Sequence, residues 1–260
     1  MSTNPFRSIA PIGSEDPGKK RILLRVLGAA AGGLLVAAAF ANPAAAAPVP
    51  ISVNLGSASN YSVLAAAAAT IPGSTLPGEV GAGAAITDDA NTVYGSTKHA
   101  VNDAATQQAL TDARATFTAL AGLAAGNTLT GADLGGQTLV PGVYHSVAAL
   151  AATSAVTFDA QGDASAYFII QSDAALNTTA STSMVLLGGA QASHIFWVVE
   201  GAATLGASSS FVGTVLSDAA VTVGASVHFA GSAISVKAAV TLDADVFGPV
   251  STTSVPTCAT

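Results

Sequence analysis

The chain has 260 residues, of which 9% are charged and 5% aromatic, and its formal net charge is −7. Five of its eight basic residues fall within the first 25 positions, so from Pro48 onward only Lys98, Arg114 and Lys237 stand against thirteen carboxylates. That excess of negative charge is repelled by phosphate backbones and anionic headgroups, which excludes nucleic acid as a partner class.

The first element is a targeting segment. Lys19, Lys20, Arg21 and Arg25 precede an apolar stretch from Val26 to Phe40, and small residues from Ala44 to Ala47 lead to Pro48. This is the order of a secretory signal peptide over residues 1–47, cleaved after Ala46 or Ala47. The apolar run is shorter than the roughly 20 residues of a membrane span; a retained anchor is the alternative. The expected location is extracellular, with attachment to the cell surface left open. Residues 48–247 suit one domain. Its surface must consist largely of Ala, Ser and Thr. The lone Cys258 cannot form an intrachain disulfide, so the fold must hold without covalent staples.

From Ser96 to Leu123, apolar residues at Val101, Ala105, Ala109, Ala113, Phe117 and Leu120 recur every three or four positions. The spacing predicts an amphipathic helix over about 96–123, capped by Ser96 or Thr97, with Asp112 and Arg114 toward water. His99 then falls on this helix.

A repeat follows. Ala203-Thr204-Leu205-Gly206-Ala207-Ser208 recurs as Val221-Thr222-Val223-Gly224-Ala225-Ser226 and as Val240-Thr241-Leu242-Asp243-Ala244-Asp245, at intervals of 18 and 19 residues. Leu176-Asn177-Thr178-Thr179-Ala180-Ser181 is a looser copy. The period fits one coil of a three-sided β-solenoid. Within each copy the alternation is period two: Leu205, Val223 and Leu242 point inward, and the threonines between apolar neighbours point out. Asn177, Thr204, Thr222 and Thr241 therefore form one outward column, with Thr179, Thr182, Ser208 and Ser226 expected beside it. Thr214 and Ser232 make a candidate column on another face. Trp197 and Phe196 belong to the core. Asp243 and Asp245 are expected to share the exposed end of the stack. Residues 248–260 read as a Ser/Thr/Pro-rich flexible tail.

Catalytic chemistry finds little support. Sugar-cleaving enzymes on β-helices need clustered acids and bases. From Pro48 onward the only adjacent acid pair is Asp88-Asp89, which reads as a solvated loop. His99, His145, His194 and His228 never stand at metal-ligand spacing. The reading is a non-enzymatic protein with no cofactor, no metal and no small-molecule substrate, and a monomer.

A flat face of threonines places methyls and hydroxyls about 4.8 Å apart between strands and about 6.7 Å apart along them. β-Branching restricts the side chains, and the grid approximates repeat distances in ice, so it can hold ordered water that merges with a crystal. Strand propensity alone also places Thr outward, and small-residue faces suit lateral packing in adhesion modules. A regular, charge-free grid favours ice; an irregular apolar face favours surface interaction.

Several segments carry a family resemblance. They are Leu134-Gly-Gly-Gln-Thr-Leu-Val-Pro-Gly-Val-Tyr144, Thr157-Phe-Asp-Ala-Gln-Gly-Asp163, Ala166-Tyr-Phe-Ile-Ile-Gln171, Gly188-Gly-Ala-Gln-Ala-Ser-His-Ile-Phe-Trp197 and Ser210-Phe-Val-Gly-Thr-Val-Leu216. Together they resemble the microbial ice-binding family, from about Asn54 to Asp243. The resemblance implies a mainly β, right-handed, discontinuous parallel solenoid of triangular section with one long helix alongside. It also implies adsorption to ice through one flat face, slowing ice growth and recrystallisation; the alternative is an extracellular adhesion module on the same scaffold. The Thr-Ala/Gly-x-Thr/Asn motif of some members is matched by Thr179-Ala180-Ser181-Thr182. Later copies, Gly206 to Ser209 and Gly224 to Val227, lack its leading Thr.

Overall fold

The computed structural model describes residues 53–127, 129 and 131–248. The expected signal segment, Cys258 and the tail beyond Gly248 lie outside the described residues.

The alternating copies form strands of two or three residues that stack in register, and all strand pairing is parallel. The result is a β-solenoid of three sides, built on a ten-stranded, a seven-stranded and a three-stranded sheet. In the long strand His228–Ser235, the first residues pair with Val246–Phe247 and the last with Tyr61–Ala65. One strand thus contributes to two sides, passing between them at Gly231, where φ is 154°.

Spatial order departs from chain order. The last repeat, Val240–Thr241, pairs on one edge with Val221–Val223 and on the other with Ala68–Thr70. Likewise His228–Ser235 lies between Ser210–Ser217 and Tyr61–Ala65. The first coils therefore cover the edge that the last repeat would otherwise expose, as an open sheet edge requires. This corrects the expectation for Asp243 and Asp245. They lie within the stack, and only Asp243 is exposed; Asp245 is 0% exposed.

The helix spans Ala104–Ala121 and begins later than Ser96. Its cap is Asp103, whose carboxylate accepts the Thr106 N–H at 2.8 Å. The preceding residues are taken by the sheet: Val80 N–H donates to the Thr97 carbonyl, and the N–H groups of His99 and Asn102 donate to the carbonyls of Val80 and Ala82. His99 is thus off the helix, between Asp103 at 2.9 Å and Glu79 at 3.1 Å. Burial disfavours its charged form, but the two carboxylates outweigh this and raise its pKa. The buried stripe is Thr106, Ala109, Leu110, Ala113, Thr116 and Leu120, while Val101 and Ala105 are exposed. Arg114 is exposed but donates through Nε to the Val236 carbonyl at 2.9 Å, and Asp112 holds Ser57 rather than water alone.

Two apolar clusters result. One fills the solenoid, where Phe168, Phe158, Trp197, Phe211, Phe229 and Phe247 form a line of ring contacts with centroids 4.7–5.9 Å apart. Trp197 satisfies its buried Nε1–H on the Val212 carbonyl at 2.9 Å. The other joins the helix to the ten-stranded sheet through Leu110, Ile169, Phe196, Leu216 and Ile234.

Candidate functional site

The seven-stranded sheet carries the predicted column. Its outward positions run Thr87, Thr70, Thr241, Thr222, Thr204, Asn177 and Ala151 on successive strands. The neighbours of each rung point inward, for example Ala203, Leu205, Val221, Val223 and Val240, all at most 1% exposed. Thr87, Thr241, Thr222, Thr204 and Asn177 are exposed and Thr70 is half-buried. The hydroxyls of the five threonines make no hydrogen bond to any other described residue. Five β-branched rungs with unspent hydroxyls therefore lie in one line at strand spacing, about 4.8 Å.

Beside each rung, two residues earlier, stands an alanine: Ala85, Ala68, Ala239, Ala220, Ala202, Ala175 and Ala149. Ala68 pairs with Ala85, and the carbonyls of Ala239, Ala220, Ala202 and Ala175 each accept an N–H from the adjacent strand, so this column too is in register. A methyl column next to a hydroxyl column makes a strip of small uncharged side chains. Seven strands extend it over about 29 Å. Charge enters at its margins: Asp243 lies beyond Thr241, Asp133 bridges to Ala151 at one end, and Asp173, Glu200, Asp218 and Lys237 stand two residues before the alanines of successive strands. Asp133 is held ionised by Thr153 and by the Gly135 N–H, which lower its pKa.

The column expected beside the threonines takes a different place. Ser208 and Ser226 are exposed but sit in corner turns with φ of 56° and 61°, a left-handed conformation in which the chain leaves the face. Thr182 is 3% exposed; its hydroxyl reaches the Thr179 carbonyl at 2.8 Å and the Ala152 carbonyl at 3.2 Å. Thr179 stays exposed at the margin, with its hydroxyl on Thr182 and the Thr153 carbonyl. The Thr179–Thr182 motif is thus a corner, exposed at Thr179, Ala180 and Ser181, with Thr182 turned inward. The second candidate face is closed. Thr214 is 6% exposed, aligned with Phe196 and Ser232 on the sheet that carries the helix, and Ser232 donates to the Tyr61 carbonyl at 2.6 Å. Asp88 and Asp89 serve their loop: Asp88 binds Lys98 and Tyr94, each at 2.6 Å, and Asp89 accepts the Gly73 N–H.

Sequence reasoning missed Thr70 and Thr87. The signal was present in Ala69-Thr70-Ile71 and Ala85-Ile86-Thr87, but a run of alanines from Ala65 to Ala69 hides which positions face in.

The model of the ice-binding-like family matches residues 39–247. The chain belongs to the ice-binding-like family. An ice-binding protein of Nostoc sp. (strain HG1) is 34% identical over 166 residues, 63% of this chain and 61% of that protein. One from Flavobacterium frigoris (strain PS1) is 35% identical over 182 residues, covering 64% and 65%. This family member therefore spans just under two thirds of the length of those two relatives. Ice-binding protein K3-B1 of Typhula ishikariensis is matched over 87% of its length, at 31% identity across 73% of this chain. Among solved structures, the ice-binding protein of the Antarctic ascomycete Antarctomyces psychrotrophicus superposes with a TM-score of 0.73 at 33% identity, over 75% of this chain and 97% of that one.

Proposed function

We propose that this family member is a secreted, monomeric, non-enzymatic protein that adsorbs to ice through the seven-stranded sheet and so slows ice growth and recrystallisation. The observation that carries the reading is the line of five threonines whose hydroxyls have no partner among the described residues, beside a column of methyls. Unpaired hydroxyls at fixed spacing bind water, and water held on a flat grid joins a crystal lattice without charge to reorganise it. The relatives named ice-binding proteins support the same reading.

Thr222→Tyr tests it. Thr222 is exposed and central, flanked by Thr241 and Thr204, so the ring stands above the strip and keeps the neighbouring rungs from the lattice. At an exposed site the cost in stability stays within about 0.5 kcal/mol. The expected result is loss of thermal hysteresis and of recrystallisation inhibition with an unchanged unfolding midpoint. A variant as active as the parent would reject this face, and an inactive parent beside a known ice-binding protein would reject the function.

A further inference from the structure

Each strand of the threonine sheet is three residues or shorter, so its height on the face depends on what fixes its two ends. Buried polar side chains recur at both ends, interrupted at the entry corner by Val199, Ala65 and Ala82 and at the exit corner by Val227. At the entry corner, Ser172, Ser217 and Ser235 are at most 1% exposed. The Ser217 hydroxyl lies 2.8 Å from the Gly201 carbonyl of the adjoining coil and 3.0 Å from the Ala219 carbonyl of its own. Ser235 donates to that same Ala219 carbonyl at 2.7 Å and accepts the Ala238 N–H at 2.9 Å. Those backbone groups lead directly into Thr204, Thr222 and Thr241.

At the exit corner, Thr182, Ser209, Val227, Asp245 and Ser74 occupy equivalent places, joined coil to coil by backbone hydrogen bonds at the next residue. Each follows a residue of positive φ: Ser181, Ser208, Ser226, Ala244 and Gly73. The hydroxyl of Ser209 reaches the Gly206 carbonyl at 2.5 Å, two residues past Thr204. Val227 has no polar atom to offer, and the next member supplies it. Asp245 accepts the Val227 N–H at 2.7 Å as well as the Asp243 N–H at 3.0 Å. The next coil repeats the arrangement, the Ser74 hydroxyl accepting the Asp245 N–H at 3.2 Å, so these corner N–H groups are held by side chains of the neighbouring coil rather than by backbone.

We propose that the polar members of these two corners are positioning residues for the threonine ladder, tying the ends of the strands that carry Thr204, Thr222 and Thr241 coil to coil so that these three central hydroxyls share one plane. The inference rests on the ice-adsorption reading above. A crystal surface accepts the rungs only together, so a strand end released by a few tenths of an ångström removes its rung from the array while the core stays packed.

The test compares three variants of the full chain with the parent. Ser217→Ala/Ser235→Ala removes the entry clamps of three adjacent rungs. Leu110→Ala, buried on the helix and away from the threonine sheet, serves as a destabilised control. Thr222→Tyr blocks the face directly. Thermal hysteresis and the ice planes labelled by fluorescent protein are measured near freezing, with unfolding midpoints and circular dichroism confirming the fold. The double serine variant is expected to lose hysteresis and its plane labelling, while Leu110→Ala keeps both at an equal or lower midpoint. Full activity in the double variant, or equal loss in Leu110→Ala, would overturn the positioning role. Should the double variant not fold, Ser217→Ala carries the same comparison. An active Thr222→Tyr beside an active parent would instead overturn the ice-adsorbing face itself, and the positioning role with it.

Discussion

Asp245 makes folding stability depend on pH in the direction opposite to most carboxylates. It is fully buried, and that burial pushes its pKa up to about 6, against the help of the Asp243 and Val227 N–H groups; the nearby charge of Asp243 adds to the rise. In the unfolded chain the value is about 3.9. The native state therefore holds the proton more tightly than the unfolded state between about pH 4 and pH 6, and stability falls as pH rises through that window. A rise from about 3.9 to about 6 corresponds to roughly 3 kcal/mol, fully present below about pH 4 and gone above about pH 6. Other carboxylates act oppositely. Asp103 is lowered to about 2 by the Thr106 N–H, and its contribution is lost only as pH falls toward that value. The comparison must therefore be with Asp245→Asn, which keeps every other group. Urea unfolding of both proteins at about pH 4 and about pH 7 gives two stability differences. The stability of the parent minus that of the neutral variant is expected to fall by roughly 2 kcal/mol from the lower pH to the higher, because the unfolded carboxyl is already half ionised at about pH 4. A difference that is constant with pH, or that grows toward neutrality, would refute the assignment of a costly buried carboxylate.

Two further expectations concern the helix and the ladder's end. Gln171, 4% exposed, donates to the carbonyls of Leu120 and Leu123 at 2.6 and 3.0 Å. Gln171→Leu leaves the helix C-terminus unsatisfied, for a loss of about 1–3 kcal/mol in chemical denaturation with ice activity retained near freezing; an unchanged midpoint would show that water replaces the amide. Thr87→Tyr, on the edge strand, leaves Thr70, Thr241, Thr222 and Thr204 contiguous, so its thermal hysteresis should fall between those of the parent and Thr222→Tyr. Equal effects at the two sites would argue against additive rungs.

The four rungs Asn177, Thr204, Thr222 and Thr241 were legible because large inward residues flank them, Leu205 and Val223 among others, which makes the period of two unambiguous. Thr70 and Thr87 lie among alanines, and alanine fits either face. The errors at Thr182, Ser208 and Ser226 share another cause. Counting by twos assumes an extended chain, and one left-handed residue at Ser181, Ser208 or Ser226 ends that count. The residue after it turns inward, which is why Thr182 is buried although it looks like part of an exposed motif. The helix start failed for a competing interaction: Ser96 and Thr97 are adequate caps locally, but the edge of Glu79–Ala82 offers backbone partners to residues 97–102 first.

The ladder also shows what a repeat cannot disclose about itself. Copies of one coil are compatible with one another in any order, so their order in the chain does not determine their order in the stack. Here the coil that comes last in sequence lies in the interior, and the segment from Tyr61 to Tyr94 closes over it. Thr70 and Thr87 thereby continue the line from Thr241 without a gap. Without those coils the sheet would end at Val240–Thr241, leaving three threonines and Asn177 on a shorter strip and an open strand edge beside them. The same step that protects the edge lengthens the face. Stability and the proposed surface activity therefore draw on one arrangement, the pairing of Ala68–Thr70 with Val240–Thr241, and a change there moves both.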